Sequence, residues 1–351
     1  MKLSEFDYSL PENKIAQSPI YPRDKSKLLI LNSSTWDIQD NLFYQIENYL
    51  TENDVLVLNT TKVINARLFW KMDIYPRKSH KIKDIQILLH RQINWNTWEC
   101  MGFPGNNLKL WRIIKFYDMK WSNVLNWKII DFADMGRIIE FDKSGADFFE
   151  AIDKVWELPL PPYIKNKDFS SDDYQTIYAN EKWSAAAPTA GLHFTSSLLE
   201  KLKKKWVKIE NLLLHVWVWT FRSVETENIK DHNMHSEFAQ IDKATADRLN
   251  EYKKNNKRII AVWTTSVRTL ESFADDKWFL SHWSQNTDIF IYPWYKWKFV
   301  DSLITNFHLP KSTLLMLVSS FAWLDNIKKS YEFAKENDYR FFSFGDAMWI
   351  I

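Results

Sequence analysis

Tryptophan is abundant in this chain and glycine is scarce, which constrains every turn that the chain can make. The 351 residues contain 19 Trp and 6 Gly, whereas an average glycine usage of about 7% would give roughly 25 glycines. Turns with positive φ depend on glycine because a Cβ atom is penalised there. Either this fold has few such turns, or tryptophan occupies positions where glycine belongs.

Several tryptophans lie in sequence contexts typical of turns. Trp36 and Trp206 occupy positions that favour glycine. Asn126-Trp127 lies between apolar runs where Asn-Gly would make a type I′ hairpin turn. We therefore hypothesise that a codon decoded as glycine in the source, such as a reassigned UGA stop codon, is rendered here as tryptophan. UGG codons at these positions in the gene would refute the hypothesis.

Length and composition exclude several classes of protein. A chain of 351 residues exceeds the roughly 250 to 300 residues at which single cores stop growing, so we expect a main body plus an inserted or appended module. Lys+Arg 46 against Asp+Glu 44 gives no independent support for a polyanionic partner. The single Cys100 excludes an internal disulfide. The start resembles no signal peptide, so the sequence predicts a soluble cytoplasmic protein.

The chain contains regions with two different patterns of apolar residues. In residues 1–69 and 151–351, buried-type apolar runs such as Asp54–Asn59 and Arg258–Val262 alternate with helix-like stretches. This pattern predicts an α/β main body, a mixed sheet covered by helices. Residues 70–150 have short alternating runs separated by turn signals, which predict an inserted small all-β barrel-like domain. We also expect a short helix at Val267–Phe273 and a strand at Asp288–Tyr292.

Polar clusters follow several of the predicted strands. Small residues in Ser184–Phe194 leave room for a ligand near the backbone, Gly191 permits unusual backbone angles, and His193 is titratable. A tight turn with a merely hydrogen-bonded histidine is the alternative. Further clusters are Leu214–Phe221, Asp231–Glu237, Val262–Glu271 and Thr305–Pro310.

Most standard motifs are absent. The sequence contains no G-x-G-x-x-G after a strand, no Walker A loop, no H-E-x-x-H and no nucleophile elbow. The histidines could supply metal ligands together with Asp231 and Glu237, but His-x-x-His spacing at His232 and His235 is weak support for a metal site. Acid–base or hydrogen-bonding histidines in a pocket are the favoured interpretation.

Eight collinear segments resemble the S-adenosylmethionine:tRNA ribosyltransferase-isomerase family of queuosine synthesis. They are Leu158–Ile164, Ala186–Phe194, His215–Phe221, Met234–Glu237, Thr264–Ser272, Ile289–Pro293, Asn306–Ser319 and Tyr339–Met348. The resemblance extends over almost the whole chain and is weakest over 70–150. Where the family has glycine, this chain repeatedly has tryptophan, at Trp70, Trp156, Trp183, Trp217, Trp219, Trp263, Trp294 and Trp323. Trp98, Trp297 and Trp349 stand where a large side chain is expected.

The resemblance implies a transferase that uses S-adenosylmethionine as co-substrate and needs no metal. The ribosyl moiety is transferred to a 7-aminomethyl-7-deazaguanine base at the tRNA wobble position and isomerised, giving epoxyqueuosine-tRNA with release of adenine and methionine. It further implies tRNA as partner, a monomer and no membrane. Two alternatives stay open: a non-catalytic tRNA-binding module on the same fold, and a metal-dependent hydrolase using the histidine cluster.

Residue chemistry inside these motifs predicts the site. The sulfonium acidifies the adjacent 5′ C–H, so a positioned histidine suits the proton transfer. The candidate catalytic residues are His193, His215, His235 and Glu237. The candidates for binding the co-substrate are Thr189, Gly191, Thr220, Thr264, Thr265, Arg268, Asn306, His308 and Asp346. Of these, Arg268 with the Thr264–Thr265 turn is expected to hold a carboxylate or phosphate.

Overall fold

The computed structural model describes residues 1–351 except 73–82, 104, 106–107, 112, 118–122, 134–135, 156–158, 167, 169, 216–223, 225 and 235. The chain forms two compact units, one of Met1–Lys62 with Pro161–Ile351 and one of Val63–Leu160. In the described ranges, no helix is long and apolar enough to cross a bilayer. The division into domains at 70 and 150 stays a prediction.

Strands dominate the chain before the helix at Gly145–Val155, and strands and helices alternate in most of the chain after it. The strands are β1 Lys27–Leu31, β2 Ile38–Leu42, β3 Asp54–Asn59, β4 Thr61–Val63, β5 Arg67–Met72, β6 Lys83–Gln92, β7 Thr97–Phe103, β8 Ile113–Tyr117, β9 Asn123–Ala133, β10 Gly136–Phe141, β11 Glu181–Ser184, β12 Lys208–Leu214, β13 Glu237–Ile241, β14 Arg258–Val262, β15 Trp283–Thr287, β16 Ser302–Asn306 and β17 Ala347–Ile350. The α-helices are α1 Gly145–Val155, α2 Ser196–Lys204, α3 Lys243–Lys254, α4 Thr264–Phe273, α5 Thr313–Ala322 and α6 Leu324–Glu336. Short 3-10 helices lie at Leu3–Phe6, Glu12–Lys14, Arg23–Lys25, Phe43–Asn48, Ser171–Tyr174, Thr189–His193 and Ile229–Asp231.

A nine-stranded mixed sheet organises the first unit, in the order β15-β13-β12-β3-β14-β16-β17-β1-β2. Strands β12, β3, β14 and β16 are parallel. Strand β17 runs antiparallel to β16, and β1 is parallel to β17. The carboxyl ends of β12, β3, β14 and β16 therefore share one edge of the sheet with the amino ends of β17 and β1. The mixed α/β body is thereby confirmed.

The central strands are buried along their whole length, which explains their continuous apolar sequences. Every residue of β3 and of β16 is buried, as expected for strands covered on both faces. Side-chain caps fix the starts of the covering helices: Thr195 accepts from the backbone of Leu198, and Ser312 from that of Leu315. Such caps satisfy amides that have no partner inside the helix.

Two predicted elements differ from the structure. The short helix expected at Val267 begins at Thr264, immediately after β14. The strand expected at Asp288–Tyr292 is wrong, because the neighbouring β15 ends at Thr287 and no strand includes this run. Ile291 is buried and Phe290 packs against the core. The apolar residues of Asp288–Tyr292 are thus explained by burial against the core and not by pairing in a sheet.

The second unit contains a six-stranded antiparallel sheet in the order β5-β6-β7-β10-β9-β8. Helix α1 packs on it through Phe148, whose ring stacks on Trp98 with centroids 5.5 Å apart. The turn expected at Asn126-Trp127 is wrong: Trp127 lies inside β9, opposite Ile114 and Phe141. The small β-rich unit matches the prediction, while its closure into a barrel stays a prediction.

Tryptophan accounts for most of the unusual backbone angles. Among the described residues, eleven non-glycine residues have positive φ, and seven of them are tryptophans: Trp36, Trp111, Trp206, Trp263, Trp278, Trp294 and Trp323. Trp36 and Trp206 were expected there. By contrast, Trp98 and Trp349 are buried without positive φ, and the indole of Trp349 donates to Ser302 at 2.7 Å. The φ angles therefore support the recoding hypothesis and separate turn tryptophans from core tryptophans.

Candidate active site

Polar side chains of the first unit gather at the sheet edge where four parallel strands end. Asn59 ends β3, His215 follows β12, Thr264 follows β14 and Asn306 ends β16. In open α/β sheets, ligands bind outside the carboxyl ends of the strands. A ligand site is therefore expected at this edge of the sheet.

His193 lies in a continuous chain of hydrogen bonds. Thr189 Oγ1 donates to Asn306 Oδ1 at 2.7 Å, and Asn306 Nδ2 faces His193 Nε2 at 3.2 Å. On the other side of the ring, His193 Nδ1 lies 2.7 Å from Ser26 Oγ. Because the amide nitrogen can only donate, Nε2 accepts and Nδ1 carries the proton that is donated to Ser26. The network holds one tautomer of a neutral imidazole.

The surroundings of His193 keep it neutral. Burial, followed by the positive charges of Arg340 and Arg23, lowers the pKa of His193 to about 3. A neutral imidazole retains a lone pair on one nitrogen and can accept a proton. It cannot act as a general acid near neutral pH until it has accepted one.

His308 is fixed even more firmly. Its Nε2 lies 2.8 Å from Thr305 Oγ1, its backbone amide donates to the Tyr331 hydroxyl at 2.9 Å, and its carbonyl accepts from Tyr8. Burial lowers the pKa of His308 to about 3. This histidine is positioned by the core and presents a neutral polar surface.

Two clefts open beside the His193 network. The first, which we call the neutral cleft, is lined by Tyr163, Thr189, Trp263, Asn306, Phe307, His308, Leu309, Ser312, Leu314, Phe342 and Ser343. The second, which we call the arginine cleft, is lined by Pro19, Ile20, Arg23, Ser26, Leu192, His193, Arg340, Ser343, Phe344 and Gly345. Ser343 lines both clefts, so they are neighbours.

Gly191 is required by a close approach and not by its backbone angles. A Cβ atom on this residue would lie 1.9 Å from the hydroxyl oxygen of Tyr178 and 2.9 Å from Thr176, and its φ is not positive. The unusual backbone angles expected from sequence are thus not the reason for a glycine here, and its role in binding the co-substrate stays a prediction. The glycine lets the Thr189–His193 turn, which carries His193, pack against Tyr178.

Arg268 and Glu237 form a buried ion pair. The guanidinium of Arg268 donates to the carboxylate of Glu237, and both side chains are almost fully inaccessible to solvent. Nearby, Thr265 Oγ1 accepts from Asn59 at 3.2 Å. The hydroxyl of Thr264 is buried and has no partner among the described residues. Arg268 is thus engaged with an internal carboxylate.

His215 lies at the same edge but far from His193. Three interstrand steps separate β12 from β16, which at about 4.8 Å each places the two strand ends roughly 14 Å apart. The ring of His215 stacks on Phe238, and burial lowers its pKa to about 4. The two histidines therefore do not meet at one atom, although a ligand lying along the edge could contact both.

The remaining predicted residues have varied positions. Asp346 accepts from the backbone amides of Lys27 at 2.9 Å and Arg340 at 2.7 Å, so its side chain already has protein partners. His235 and Thr220 lie outside the described residues. Within the described part of the chain, no three His, Cys, Asp or Glu side chains come together as a metal-binding group.

Several site residues were missed from sequence. Ser26 precedes β1, Arg340 and Ser343 precede β17, and Arg23 lies in a 3-10 helix. The polar clusters predicted from sequence follow the carboxyl ends of strands. These residues instead precede the amino ends of β1 and β17, which run in the opposite direction to β16. Only the mixed strand order brings them to the same edge.

Comparisons with known proteins agree along the whole chain. A family described as "Queuosine biosynthesis protein" matches residues 3–350. A relative from Thermoanaerobacter sp. (strain X514) is 48% identical over 100% of both chains, and one from Halothermothrix orenii is 47% identical over the same share. Both are named S-adenosylmethionine:tRNA ribosyltransferase-isomerase. The crystal structure of an S-adenosylmethionine tRNA ribosyltransferase from Thermotoga maritima is similar with a TM-score of 0.55 and 36% identity, over 99% of this chain and 100% of that one.

Proposed function

The chain belongs to the queuosine biosynthesis protein family, whose relatives at 47% and 48% identity are ribosyltransferase-isomerases, and we propose that it catalyses their reaction on tRNA. In this proposal the ribosyl moiety of S-adenosylmethionine passes to the 7-aminomethyl-7-deazaguanine base at the wobble position. Isomerisation gives epoxyqueuosine-tRNA, and adenine and methionine are released. The enzyme is a cytoplasmic monomer in this proposal.

The observation that carries the proposal is the position of the His193 network between two clefts. Asn306 lines the neutral cleft, His193 lines the arginine cleft, and the two side chains are joined by a hydrogen bond. A reaction that joins two large substrates needs two adjacent compartments with a proton acceptor between them. Such convergence of titratable groups in clefts is typical of active sites.

His193 fits the role of proton acceptor for the acidified 5′ C–H of the sulfonium nucleoside. The imidazole is neutral and its Nδ1 proton is held by Ser26, so the accepting nitrogen is Nε2. The lone pair of Nε2 already accepts from Asn306 at 3.2 Å, so the Asn306 amide must turn away before Nε2 can accept the proton. The pKa of about 3 makes His193 a weak base, and transfer relies on the acidity that the sulfonium gives to the carbon.

The other candidates take supporting roles. His308 and Thr189 line the neutral cleft and suit hydrogen bonds to ribose or base. His215 lies farther along the edge and is the second candidate for a base, with a pKa of about 4. Thr264 and Thr265, at the start of α4, offer backbone amides that favour an anionic group.

Adenine release from S-adenosylmethionine in the presence of tRNA carrying the precursor base tests the proposal. We expect His193→Gln to slow release by about 100-fold or more, the range of general base catalysis, and the exposed His282 provides a matched control in His282→Gln with an unchanged rate. If His193→Gln and His215→Gln both kept the full rate, the assigned roles would fail. Binding of tRNA without adenine release would favour a binding module, and activity lost to chelators would favour a metal-dependent hydrolase.

A further inference from the structure

The two clefts differ in charge. Where the structure describes the lining of the neutral cleft, it contains no Lys, Arg, Asp or Glu. The arginine cleft contains two guanidinium groups, Arg23 and Arg340, and no carboxylate among the described residues that line it. Both positive charges act on the same imidazole, that of His193, so they face one small volume.

The two arginines are only loosely compensated by carboxylates. Arg23 lies 3.7 Å from Asp173 and otherwise donates to the carbonyls of Gln175 at 2.7 Å and Asp172 at 2.9 Å. Asp173 already accepts from Tyr21 and from the backbone of Ser170. Carbonyl oxygens satisfy donors but leave the positive charge in place.

The positive charge of Arg340 is also only loosely compensated by carboxylates. Its guanidinium donates to the Ser18 carbonyl at 3.2 Å and to Asp346 at 3.4 Å, and its buried Nε has no partner among the described residues. Other arginines of the first unit make tight pairs, such as Arg258 with Asp54 at 2.6 Å and Arg248 with Glu210 at 2.7 and 2.9 Å. Charge-assisted hydrogen bonds have lengths of about 2.7 to 2.9 Å, so among the described arginines of the first unit the two cleft arginines lack such a pair and retain capacity for an anion.

The charges of the two substrates decide which cleft each can enter. The sulfonium nucleoside carries a positive centre and would be repelled by two guanidinium groups, whereas each RNA nucleotide carries a negative phosphodiester. Guanidinium forks match phosphate geometry. Tyr21, between Ile20 and Arg23 in the chain, is 62% exposed, and exposed aromatic rings beside cationic grooves are typical stacking surfaces for RNA bases.

We propose that the arginine cleft binds a phosphodiester of the RNA substrate next to the nucleotide that is modified, and that the sulfonium nucleoside occupies the neutral cleft. This assignment rests on the proposed function. Arg23 and Arg340 are then RNA-binding residues, and Ser343 lies at the boundary between the two substrates.

The test measures the affinity of the full chain for an anticodon stem–loop RNA at several salt concentrations, without turnover. Each phosphate contact in single-stranded RNA contributes about 0.7 to the slope of log K against log salt. Because the single phosphate contributes about 0.7 in total, we expect Arg23→Ala and Arg340→Ala each to reduce the slope by at most about 0.7 and to weaken binding about fivefold at about 0.1 M salt. Arg23→Lys and Arg340→Lys, which keep the charge, should retain the slope.

Matched controls separate this effect from loss of fold or of net charge. The double variant Lys254→Ala/Lys329→Ala removes two exposed cations and should leave the slope unchanged. Arg23→Gln removes the positive charge but keeps a donor for the Gln175 carbonyl. If Arg23→Ala does not fold, the salt slope of Arg23→Gln tests the contribution of the charge.

Two results would overturn the assignment. One is an unchanged salt slope in folded Arg23→Gln and Arg340→Ala. The other is weaker binding of S-adenosylmethionine in calorimetry with unchanged RNA binding, which would place the donor's carboxylate in the arginine cleft. Failure of adenine release by the unmodified protein would contradict the proposed reaction but would leave the RNA measurement intact.

Discussion

Trp263 combines two features at the scale of a single residue. Its φ of 74° and ψ of 158° lie in a region that only glycine visits readily and that costs other residues about 1 to 3 kcal/mol. Its side chain is buried and lines the neutral cleft. A glycine at this position would relieve the backbone and would also enlarge the compartment that we assign to the sulfonium nucleoside.

Replacing exposed turn tryptophans by glycine should stabilise the protein. Trp206 and Trp278 have φ of 64° and 63° and are 69% and 64% exposed, so their indoles contribute little burial. The left-handed conformation costs a non-glycine residue about 1 to 2 kcal/mol. We expect Trp206→Gly and Trp278→Gly each to raise the free energy of unfolding by about 1 kcal/mol, measured by urea denaturation.

A core tryptophan provides the matched control for these variants. Trp349 is fully buried in β17, and Trp349→Gly should lower the free energy of unfolding by about 3 to 5 kcal/mol, as for other large core truncations. Equal effects at turn and core positions would contradict the recoding hypothesis. So would a loss of stability in both turn variants.

At the scale of elements, helix α4 is held by buried polar contacts along its length. Thr265 is held by Asn59 of β3, and Arg268 by Glu237 of β13. Glu271 accepts from the backbone amides of Lys298, Phe299 and Val300, each at 2.9 Å. The helix is therefore locked to the sheet edge, which fixes the position of its amino-terminal amides.

The Arg268–Glu237 pair should contribute to stability more than to chemistry. Removing one member of a buried pair leaves an uncompensated charge and costs about 3 to 5 kcal/mol, so we expect Glu237→Gln to lower the free energy of unfolding by that amount. The double variant Glu237→Gln/Arg268→Met should recover much of the loss, because no buried charge remains. If the double variant regains stability but releases no adenine, Glu237 or Arg268 has a role in catalysis beyond packing.

Sequence patterns identified elements well where burial and pairing coincide. β3 and β14 are continuous apolar runs covered on both faces, and both were predicted with their observed bounds. The run Asp288–Tyr292 is similarly apolar but packs against the core without pairing in a sheet. The apolar pattern of a run indicates that its residues are buried but does not indicate whether the run pairs with another strand. A buried strand and a buried loop therefore look alike in the sequence.

The whole molecule decides which residues share the site. His193, Asn306 and His308 were predicted because they lie in clusters of unusual residue types. Ser26 and Arg340 were not, because their place depends on β1 and β17 running opposite to β16. A strand order of this kind arises from long-range packing and is not encoded in any local pattern.

Three buried histidines give the whole protein a characteristic dependence on pH. The pKa values of His193 and His308 are lowered to about 3 and that of His215 to about 4, whereas an unfolded histidine titrates near 6.5. Below pH 6.5 the unfolded chain binds more protons, so the free energy of unfolding should fall as the pH falls. Each histidine contributes about 1.4 kcal/mol per pH unit well below 6.5.

Urea denaturation at several values between pH 7 and pH 5 measures this slope. His308→Gln removes one of these groups and should make the slope less steep by up to about 1.4 kcal/mol per pH unit well below pH 6.5. A free energy of unfolding that stays constant from pH 7 to pH 5 would contradict the prediction.

Strand β17 has a consequence for how the enzyme is made. In the nine-stranded order it separates β16 from β1 and β2, and Leu28 of β1 pairs with Ala347. During translation β1 and β2 can join the nine-stranded sheet only after β17, which ends at residue 350, has been synthesised. We therefore expect the contact between Ser26 and His193 to form late. If glycine is read here from a codon that other systems treat as stop, every prematurely terminated product lacks β17. Such products would be inactive and exposed to proteolysis, and synthesis of the enzyme would be all or none.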